Sequence, residues 1–382
     1  MNKECIGCGL CEAMCHRQAI KVDENSDGSY AKVDENLCDN CGLCEKLCPV
    51  PNLKEKEDLS KAKYVAVGKS LNDEVVKASA SGGIVSEILI HLFEIGEIDA
   101  AIVAHYDKHA NIYGDVIESG AEVLLHAGSY YHTSKQLLNI KKITKYRKVA
   151  VVGLPCHIEG VLNYLELTRQ KDKVTTIALF CTVGRTYEGF RQFFLQETGF
   201  DVATGNVCKY VSRYGEKKLI HIEDDKGNVY ECPDENYKYK MDFFWANKTC
   251  LECRKLYGLS ADISVGDAWH RVMEKNGIKG KIAMISANTD YGKKMLKTIA
   301  KNVQLEYAEN GAYELVSSQT YGASLKQIHN MKTVNKLDKL RRFRFLANNA
   351  LLSRIICKIR DNILKELALY SEKVKECFMN NV

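Results

Sequence analysis

Apolar and polar positions alternate with different periods along the chain. Ile20–Val22 and Tyr30–Val33 are short runs that carry the alternation of strands, and Asn25-Ser26-Asp27-Gly28 between them favours a turn. These residues predict a β-hairpin. Four further apolar runs, bounded by polar or turn-forming residues, predict buried strands. They are Tyr64–Val67, Ala100–Ala104, Lys148–Val152 and Thr175–Phe180.

Helical periods lie between these runs. Ile84–Ile95 repeats apolar residues every three or four positions, which predicts an amphipathic helix. Leu137–Tyr146 and Tyr187–Glu197 are predicted as further helices, and Ile222–Tyr230 as a hairpin that turns at Lys226-Gly227-Asn228. Strands that alternate with helices are typical of an α/β fold. From about residue 325 the apolar spacing predicts an amphipathic helical tail, with Leu351, Ile355, Ile356, Ile359, Ile363, Leu364 and Leu367 on one face.

The changes of pattern divide the chain into four parts. Residues 1–50 form a small α+β unit, and residues 51–62 form a charged linker. Residues 63–325 form a mixed α/β domain, and residues 326–382 form the helical tail. At 382 residues, the chain is long enough for two or more domains.

Charge is concentrated in the tail. The net charge of the chain is +5, but residues 325–382 contain 13 lysines and arginines against five acidic residues. A solvated helical face explains such a tail, and docking to an acidic partner or peripheral contact with an anionic membrane are the alternatives. No nucleic-acid-binding motif accompanies the charge, so we expect no nucleic-acid partner. The chain has no uncharged apolar run of about 18 residues, so we expect no membrane span.

Two cysteine runs with the same spacing, C-x2-C-x2-C-x3-C, occupy the N-terminal unit. The first contains Cys5, Cys8, Cys11 and Cys15, and the second contains Cys38, Cys41, Cys44 and Cys48. This spacing is typical of ligands to 4Fe–4S clusters. Structural zinc usually takes two separated pairs, and 16 cysteines in 382 residues are too few for a disulfide scaffold. Thiolate clusters and a chain that starts at the first motif predict a reducing, cytoplasmic location.

In two-cluster ferredoxins the fourth cysteine of each run ligates the other cluster. We therefore predict that Cys48 completes the cluster of the first run and that Cys15 completes the cluster of the second. The first run departs from the common pattern at His16, where proline is usual.

Four later cysteines are candidates for another metal site. Cys156 and Cys181 each follow a predicted strand, and Cys250 and Cys253 form a C-x2-C pair. Ligands gather at the carboxyl ends of strands in α/β sheets. The residues alone leave two interpretations: a third 4Fe–4S cluster, or two structural cysteines with a separate zinc pair.

A phosphate site is a further candidate. Ser79-Ala80-Ser81-Gly82-Gly83 precedes the predicted helix Ile84–Ile95. Small residues with free N–H groups at a helix N-terminus suit phosphate or pyrophosphate, although the same residues also form an ordinary cap. No G-x-G-x-x-G follows a strand, so a nicotinamide Rossmann site is not supported.

Residues 63–325 resemble the beta subunit of the coenzyme F420 (deazaflavin) hydrogenase/dehydrogenase family. The resemblance lies in five segments: Ser79–Val85, Ala127–Tyr131, Val149–His157, Leu179–Cys181 and Cys250–Trp269. With the N-terminal unit, which resembles a two-cluster ferredoxin, it covers most of the chain.

The resemblance implies a bound FAD beside a third 4Fe–4S cluster. It implies Cys156, Cys181, Cys250 and Cys253 as the cluster ligands. It also implies that the flavin is lined by two small-residue segments, which contain Ser79, Ser81, Gly82, Gly83, Gly128 and Ser129. The chain departs from the family at Tyr130, where lysine is common, and this departure puts the use of deazaflavin in question.

These features predict a flavin-dependent, iron–sulfur oxidoreductase. A flavin exchanges two electrons with an organic substrate and single electrons with a cluster. The expected partners are a ferredoxin or another redox protein and a small-molecule redox substrate, with a deazaflavin as one candidate. The alternative is a non-catalytic electron-relay subunit that serves a partner redox enzyme.

Five other residues near these motifs are candidates for flavin or proton chemistry, each with a structural alternative. His157 is a candidate proton or hydrogen-bond donor, or a core histidine. Asp262 and Asp267 are candidates for contact with flavin hydroxyls or with the C-x2-C loop, or they are turn caps. Trp269 and Tyr131 are candidates for stacking on the flavin ring, or packed aromatic residues.

Overall fold

The computed structural model describes residues 4–214, 217–233, 244–269, 278 and 280–319, together with positions 322, 326, 335, 336, 338, 339, 341–343, 355, 358, 359 and 362. Most of the predicted tail therefore lies outside the described residues. Within it, Ile355, Lys358, Ile359 and Asn362 are helical and exposed. Among the described residues, no helix has both the length and the apolar character that a membrane crossing requires.

The N-terminal unit consists of two short helices around one hairpin. Its elements are α1 (Leu10–Met14), β1 (Ile20–Asn25), β2 (Gly28–Val33) and α2 (Leu43–Leu47). The hairpin is antiparallel with Ile20 opposite Val33, as predicted. Gly9 and Gly42 precede the two helices with φ of 80° and 72°, a conformation that glycine adopts at low cost. Each glycine follows a cysteine of its run, so both runs turn in the same way.

Two sheets form the framework of the rest of the described chain. The larger sheet contains nine strands in the order β14-β3-β13-β12-β8-β7-β4-β5-β6, and the smaller is antiparallel in the order β11-β10-β9. The strands are β3 (Tyr64–Ser70), β4 (Ala100–Tyr106), β5 (Ile112–Ile117), β6 (Ser134–Lys135), β7 (Val149–Gly153), β8 (Val174–Leu179), β9 (Val207–Tyr214), β10 (Leu219–Asp224), β11 (Val229–Pro233), β12 (Ile263–Asp267), β13 (Ala283–Ala287) and β14 (Val303–Tyr307). The central four, β12-β8-β7-β4, pair in parallel. The prediction of a mixed α/β fold is confirmed.

The helices cover both faces of the larger sheet. They are α3 (Asp73–Ala78), α4 (Ile84–Glu94), α5 (Pro155–Thr168), α6 (Tyr187–Thr198), α7 (Lys248–Glu252), α8 (Asp290–Thr298) and α9 (Gly311–Ser318). Alternate residues of β4 and β7 enter different cores, because successive strand side chains point to opposite faces. Ala101 and Ala150 pack in the core that contains α4.

The N-terminal unit shares the core on the other face of the sheet. Leu10 and Leu47 pack there with Ile102 and Val151, and all four side chains are buried. The linker contributes Leu53 from a 3-10 helix at Val50–Lys54. The two cysteine runs are therefore held against the sheet by apolar burial.

One helix prediction is wrong. Leu137–Tyr146 is not an α-helix but a turn followed by a 3-10 helix at Ile140–Lys145. Leu137, Ile140 and Ile143 are buried at a spacing of three, which is the period of a 3-10 helix. The predicted hairpin at Ile222–Tyr230 is present as β10 and β11.

Candidate functional site

The first cysteine set lies around a small cavity under α1. Cys5, Cys8, Cys11 and Cys48 line this cavity of about 220 Å3, together with Cys44. Burial is the main reason that the pKa of the Cys5 thiol is raised to about 11 and that of the Cys11 thiol to about 12, and Cys48 contributes to both shifts. Cys48 thus lies beside the first run, where the crossed ligand pattern requires it.

The second cysteine set is nearer the surface. It contains Cys15, Cys38, Cys41 and Cys44, of which Cys41 is exposed and the others are half-buried. His16, the residue in place of proline, is also exposed and its Nε2 lies 2.8 Å from Asp39 Oδ2.

A third cysteine set comes together from three segments. Cys156 lies in the first turn of α5, Cys181 follows β8 by two residues, Cys250 lies in α7, and Cys253 ends α7. Burial raises the pKa of the Cys156 thiol, and Cys181, Cys250 and Cys253 raise it further as electrostatic neighbours. Cys8 also acts on Cys156, so the first and third sets are adjacent.

A lysine lies among these thiols. Lys326 is only 2% exposed, and its Nζ donates a hydrogen bond to the Cys250 carbonyl oxygen at 3.3 Å. Burial lowers the pKa of Lys326, but Cys253, Cys181 and Cys250 together outweigh burial and raise the pKa. Lys326 is the first residue of the predicted tail, so this end of the tail belongs to the core of the domain.

The linker fastens the C-x2-C loop to the N-terminal unit through a carboxylate. Glu57 Oε2 accepts hydrogen bonds from the N–H groups of Leu256 and Tyr257 at 2.7 and 2.8 Å. Glu57 Oε1 accepts from Gly258 and Leu259 at 2.6 and 3.0 Å. These four donors come shortly after Cys253, so the linker fixes the backbone that leaves the third set.

Two more contacts reinforce this attachment. The Arg254 N–H donates to the Leu53 carbonyl oxygen at 2.7 Å, and Lys54 Nζ lies 3.2 Å from Glu252 Oε2.

A cavity of about 690 Å3 opens beside the third set. Its lining includes Ser79, Ser81 and Gly83 at the start of α4, and Gly128 and Ser129 on the loop before β6. Cys181 also lines it. The structure therefore brings both predicted small-residue segments and one thiol of the third set to one cavity.

Gly82 is the predicted flavin-site residue that does not line this cavity. A Cβ at Gly82 would lie 2.5 Å from the Gly68 carbonyl oxygen and 2.8 Å from the Ala283 nitrogen. Gly82 therefore lets the turn before α4 pack tightly on β3 and β13, which sets the position of Ser81 and Gly83. The Ser81 hydroxyl donates to the Ile282 carbonyl oxygen at 2.7 Å.

Buried aromatic and imidazole rings form another wall of the cavity. Tyr130 and Tyr131 both line it, and the Tyr130 ring lies 5.0 Å from that of Tyr210. His132 stacks on Phe190 at 4.5 Å, and burial lowers the pKa of His132 to about 4. His132 is therefore neutral at pH 7.

His157 lies in the same cavity beside Cys156. Burial lowers its pKa to about 4, so its ring is neutral at pH 7. Its Nδ1 accepts a hydrogen bond from the Leu154 N–H at 3.2 Å, which places the ring proton on Nε2.

The two aspartates take different places. Asp262 stabilises the local fold, because its carboxylate accepts hydrogen bonds from the Thr176 N–H at 2.9 Å and from the Thr289 hydroxyl at 2.9 Å. Asp267 lines the cavity and forms an ion pair with Arg213, whose side chain is buried. The Arg213 guanidinium lies 5.8 Å from the Trp269 ring, which also lines the cavity.

Sequence reasoning missed Lys326, Glu57 and Arg213. None belongs to a motif, because each acts through a contact made by folding. In the sequence each of these residues shows only its charge, and neighbouring residues carry the same charge, so nothing singles it out.

Comparison with protein families divides the chain into three matched segments. Residues 4–52 match a 4Fe-4S dicluster domain. Residues 65–141 match the N-terminal part, and residues 146–311 the C-terminal part, of the coenzyme F420 hydrogenase/dehydrogenase beta subunit.

Individual relatives agree with this division. The chain is 27% identical over 296 residues to one of the subunits of the F(420)H(2) dehydrogenase of Methanosarcina mazei, covering 72% of this chain and 80% of the relative. It is 29% identical over 286 residues to the coenzyme F420-dependent sulfite reductase of Methanocaldococcus jannaschii, covering 69% of this chain and 42% of that protein.

A solved structure shares the fold. A chain of the F420-reducing [NiFe] hydrogenase complex from Methanosarcina barkeri superposes with a TM-score of 0.51 at 19% identity, covering 69% of this chain and 89% of that one. With the three matched segments in order, the chain belongs to the family of coenzyme F420 hydrogenase/dehydrogenase beta subunits and carries an iron–sulfur dicluster domain at its N-terminus.

Proposed function

We propose that the chain is an iron–sulfur flavoprotein oxidoreductase. It passes electrons between an organic two-electron donor or acceptor at FAD and single-electron carriers, through three 4Fe–4S clusters. One observation carries the proposal: Cys181 belongs both to the large cavity and to the third cysteine set, and Cys156 of that set neighbours Cys8 of the first.

The large cavity fits a flavin. Its volume of about 690 Å3 is within the usual range for cofactor pockets, roughly 300–1,000 Å3. Ser79, Ser81 and Gly83 present backbone at the start of α4, where N–H groups suit a pyrophosphate. Gly128 has φ of 121°, and a Cβ there would meet open space, so this loop leaves room beside a ligand. We assign Gly82 to the support of these residues.

The first and third cysteine sets fit clusters for an electrostatic reason. Burial is the main reason that the pKa of the Cys250 thiol is raised to about 12; Lys326 opposes this shift, and Cys181 and Cys253 add to it. A bound metal ion would favour the thiolates in such surroundings, and the charge of Lys326 acts in the same direction. When bound, FAD and the clusters supply the exchange between two-electron and one-electron chemistry.

The protein's own residues have the remaining tasks. The half-buried Tyr130 and the buried His132 line the cavity and limit the access of water, and Arg213 and Trp269 line it as well. The exposed Cys41 marks the second set as the end of the path nearest to a docking redox protein.

The substrate and partner are part of the proposal. Relatives are named for coenzyme F420, so a deazaflavin is the first substrate to test, and a ferredoxin is the first single-electron carrier. Tyr130 gives this cavity a neutral residue where lysine is common in the family. We propose a cytoplasmic location because iron–sulfur thiolates require reducing conditions.

The alternative is an electron-relay subunit without its own substrate. It is favoured by the name of the Methanosarcina mazei relative, which is a subunit of a dehydrogenase. A relay chain would react with reduced ferredoxin but would turn over no small molecule.

Anaerobic purification of the full chain tests the proposal. We expect about 12 irons and one FAD per chain, since each cluster contains four irons. A count of about eight irons would contradict the third cluster, and a preparation that contains iron but no flavin would contradict the FAD assignment. A donor screen with reduced deazaflavin, NAD(P)H and reduced ferredoxin then separates an enzyme from a relay.

A further inference from the structure

We propose that Lys326 is a positioning residue that holds a positive charge beside the third cysteine set and makes the cluster there easier to reduce. The inference rests on the proposed function, because it requires a cluster at Cys156, Cys181, Cys250 and Cys253.

Contacts of its backbone and of its side-chain nitrogen both fix the position of Lys326. Its backbone carbonyl oxygen accepts a hydrogen bond from Arg254 Nε at 3.5 Å. Its Nζ donates to the Cys250 carbonyl oxygen at 3.3 Å. With 2% of the residue exposed, the ammonium group is fixed and away from solvent.

The charge has no carboxylate partner among the described contacts of Lys326. The neighbouring Lys255 differs, because its Nζ lies 3.7 Å from Glu159 Oε1. A buried ammonium group costs several kcal/mol unless an anion compensates it. Lys326 Nζ lies against the C-x2-C loop, 3.3 Å from the Cys250 carbonyl oxygen, so the thiolates of a bound cluster would be its compensating anion.

This arrangement favours the reduced site. One electron from a single-electron carrier adds one negative charge to the third set, and no bond forms or breaks. A fixed cation lowers the energy of the more negative state more strongly, and the effect is large where water is excluded. Charge and hydrogen bonding near the sulfurs are known controls of cluster potential.

The test compares four variants of the full chain with the wild type. K326M and K326Q remove the charge, K326R keeps it, and K339M removes an exposed tail charge as the matched control. Each is purified anaerobically, assayed for iron, and titrated with dithionite while EPR signals are recorded. The signal that is missing from C181S identifies the third cluster.

We expect K326M and K326Q to keep about 12 irons. The equilibrium constant for reducing their third cluster should fall at least tenfold, equivalent to about 59 mV for one electron. K326R and K339M should stay near the wild type. If both neutral variants lose the third cluster while K326R keeps it, a requirement for the charge is equally supported.

Two results would overturn the inference while the proposed function stands. In one, neutral variants with about 12 irons keep the wild-type potential. In the other, K326R loses the third cluster or shifts as far as K326M, so that shape and not charge matters. A wild-type count of about eight irons would instead reject the third cluster and the proposed function with it.

Discussion

The attachment of the linker to the C-x2-C loop leads to the sharpest prediction. Glu57 accepts four backbone hydrogen bonds from residues 256–259, all between 2.6 and 3.0 Å. The substitution Glu57→Gln replaces one carboxylate oxygen by an NH2 group, which donates and cannot accept. Two of the four N–H groups then face a donor.

The magnitude follows from the lost bonds. A hydrogen bond to a charged group contributes about 1.5–3 kcal/mol, so losing two costs about 3 kcal/mol at the lower end. Since about 1.4 kcal/mol is a factor of ten, local opening of the loop becomes about a hundredfold more frequent. The loop follows Cys253, so iron at the third set should also be lost faster to a chelator.

Hydrogen exchange measured by mass spectrometry on the intact, iron-loaded protein is the assay. Peptides that contain residues 256–259 should exchange about a hundredfold faster in E57Q, while peptides from the β4–β7–β8 core stay unchanged. E55Q is the matched control, because Glu55 is an exposed linker glutamate. Equal exchange at residues 256–259 in E57Q and the wild type would refute the account of the linker.

Three further outcomes are expected. C181S should lower the iron content from about 12 to about eight per chain, whereas C208S, at an exposed cysteine, should leave it unchanged; equal iron in both would remove Cys181 from the ligands. G82A should lose visible flavin absorbance and cost about 1–3 kcal/mol of stability by forcing two strands apart, whereas G120A should behave as wild type because its Cβ has room; a G82A protein with full flavin would contradict this. Burial lowers the pKa of His132 to about 4, whereas the unfolded chain has the ordinary value of about 6.5. The unfolded state therefore takes up the proton first, and the free energy of unfolding falls by about 3 kcal/mol as the pH drops from 6.5 to 4. H132Q should therefore show a flatter pH dependence of the free energy of unfolding by urea, and an unchanged slope would argue against the assignment.

The sequence predicted the elements whose signal is local. The runs that became β3, β4, β7 and β8 are mostly apolar and do not alternate with exposed polar residues, because both faces of the sheet are covered. The hairpin around Gly28 is set by turn residues that act within four positions.

Elements with a weak local signal were missed. Helix α5 begins with Pro155, yet it is buried on more than one side, so its apolar period is blurred. The segment at Ile140 has apolar residues three apart, and a helical wheel does not separate that spacing from an α-helix when the segment is short.

The same distinction applies to the site. Cysteine spacing marks ligands because the chemistry of iron requires thiolates at short intervals. Lys326 and Glu57 carry no such mark, since their partners are more than 70 and about 200 residues away in the chain. One lysine in a basic tail and one glutamate in a charged linker resemble their neighbours until the chain is folded.

The contacts of the N-terminal hairpin have a consequence for biosynthesis. The Lys248 N–H donates to the Asp27 carbonyl oxygen at 3.1 Å, and Arg341 Nη2 donates to the same oxygen at 2.9 Å. Cys5 N–H donates to Thr249 Oγ1 at 3.0 Å. The hairpin and Cys5 are therefore synthesised more than 200 residues before these partners, and contacts of such separation form slowly. Until those partners are made, the N-terminal unit lacks these contacts, so we expect iron delivered early to meet the cysteine runs before they pack against the rest of the protein.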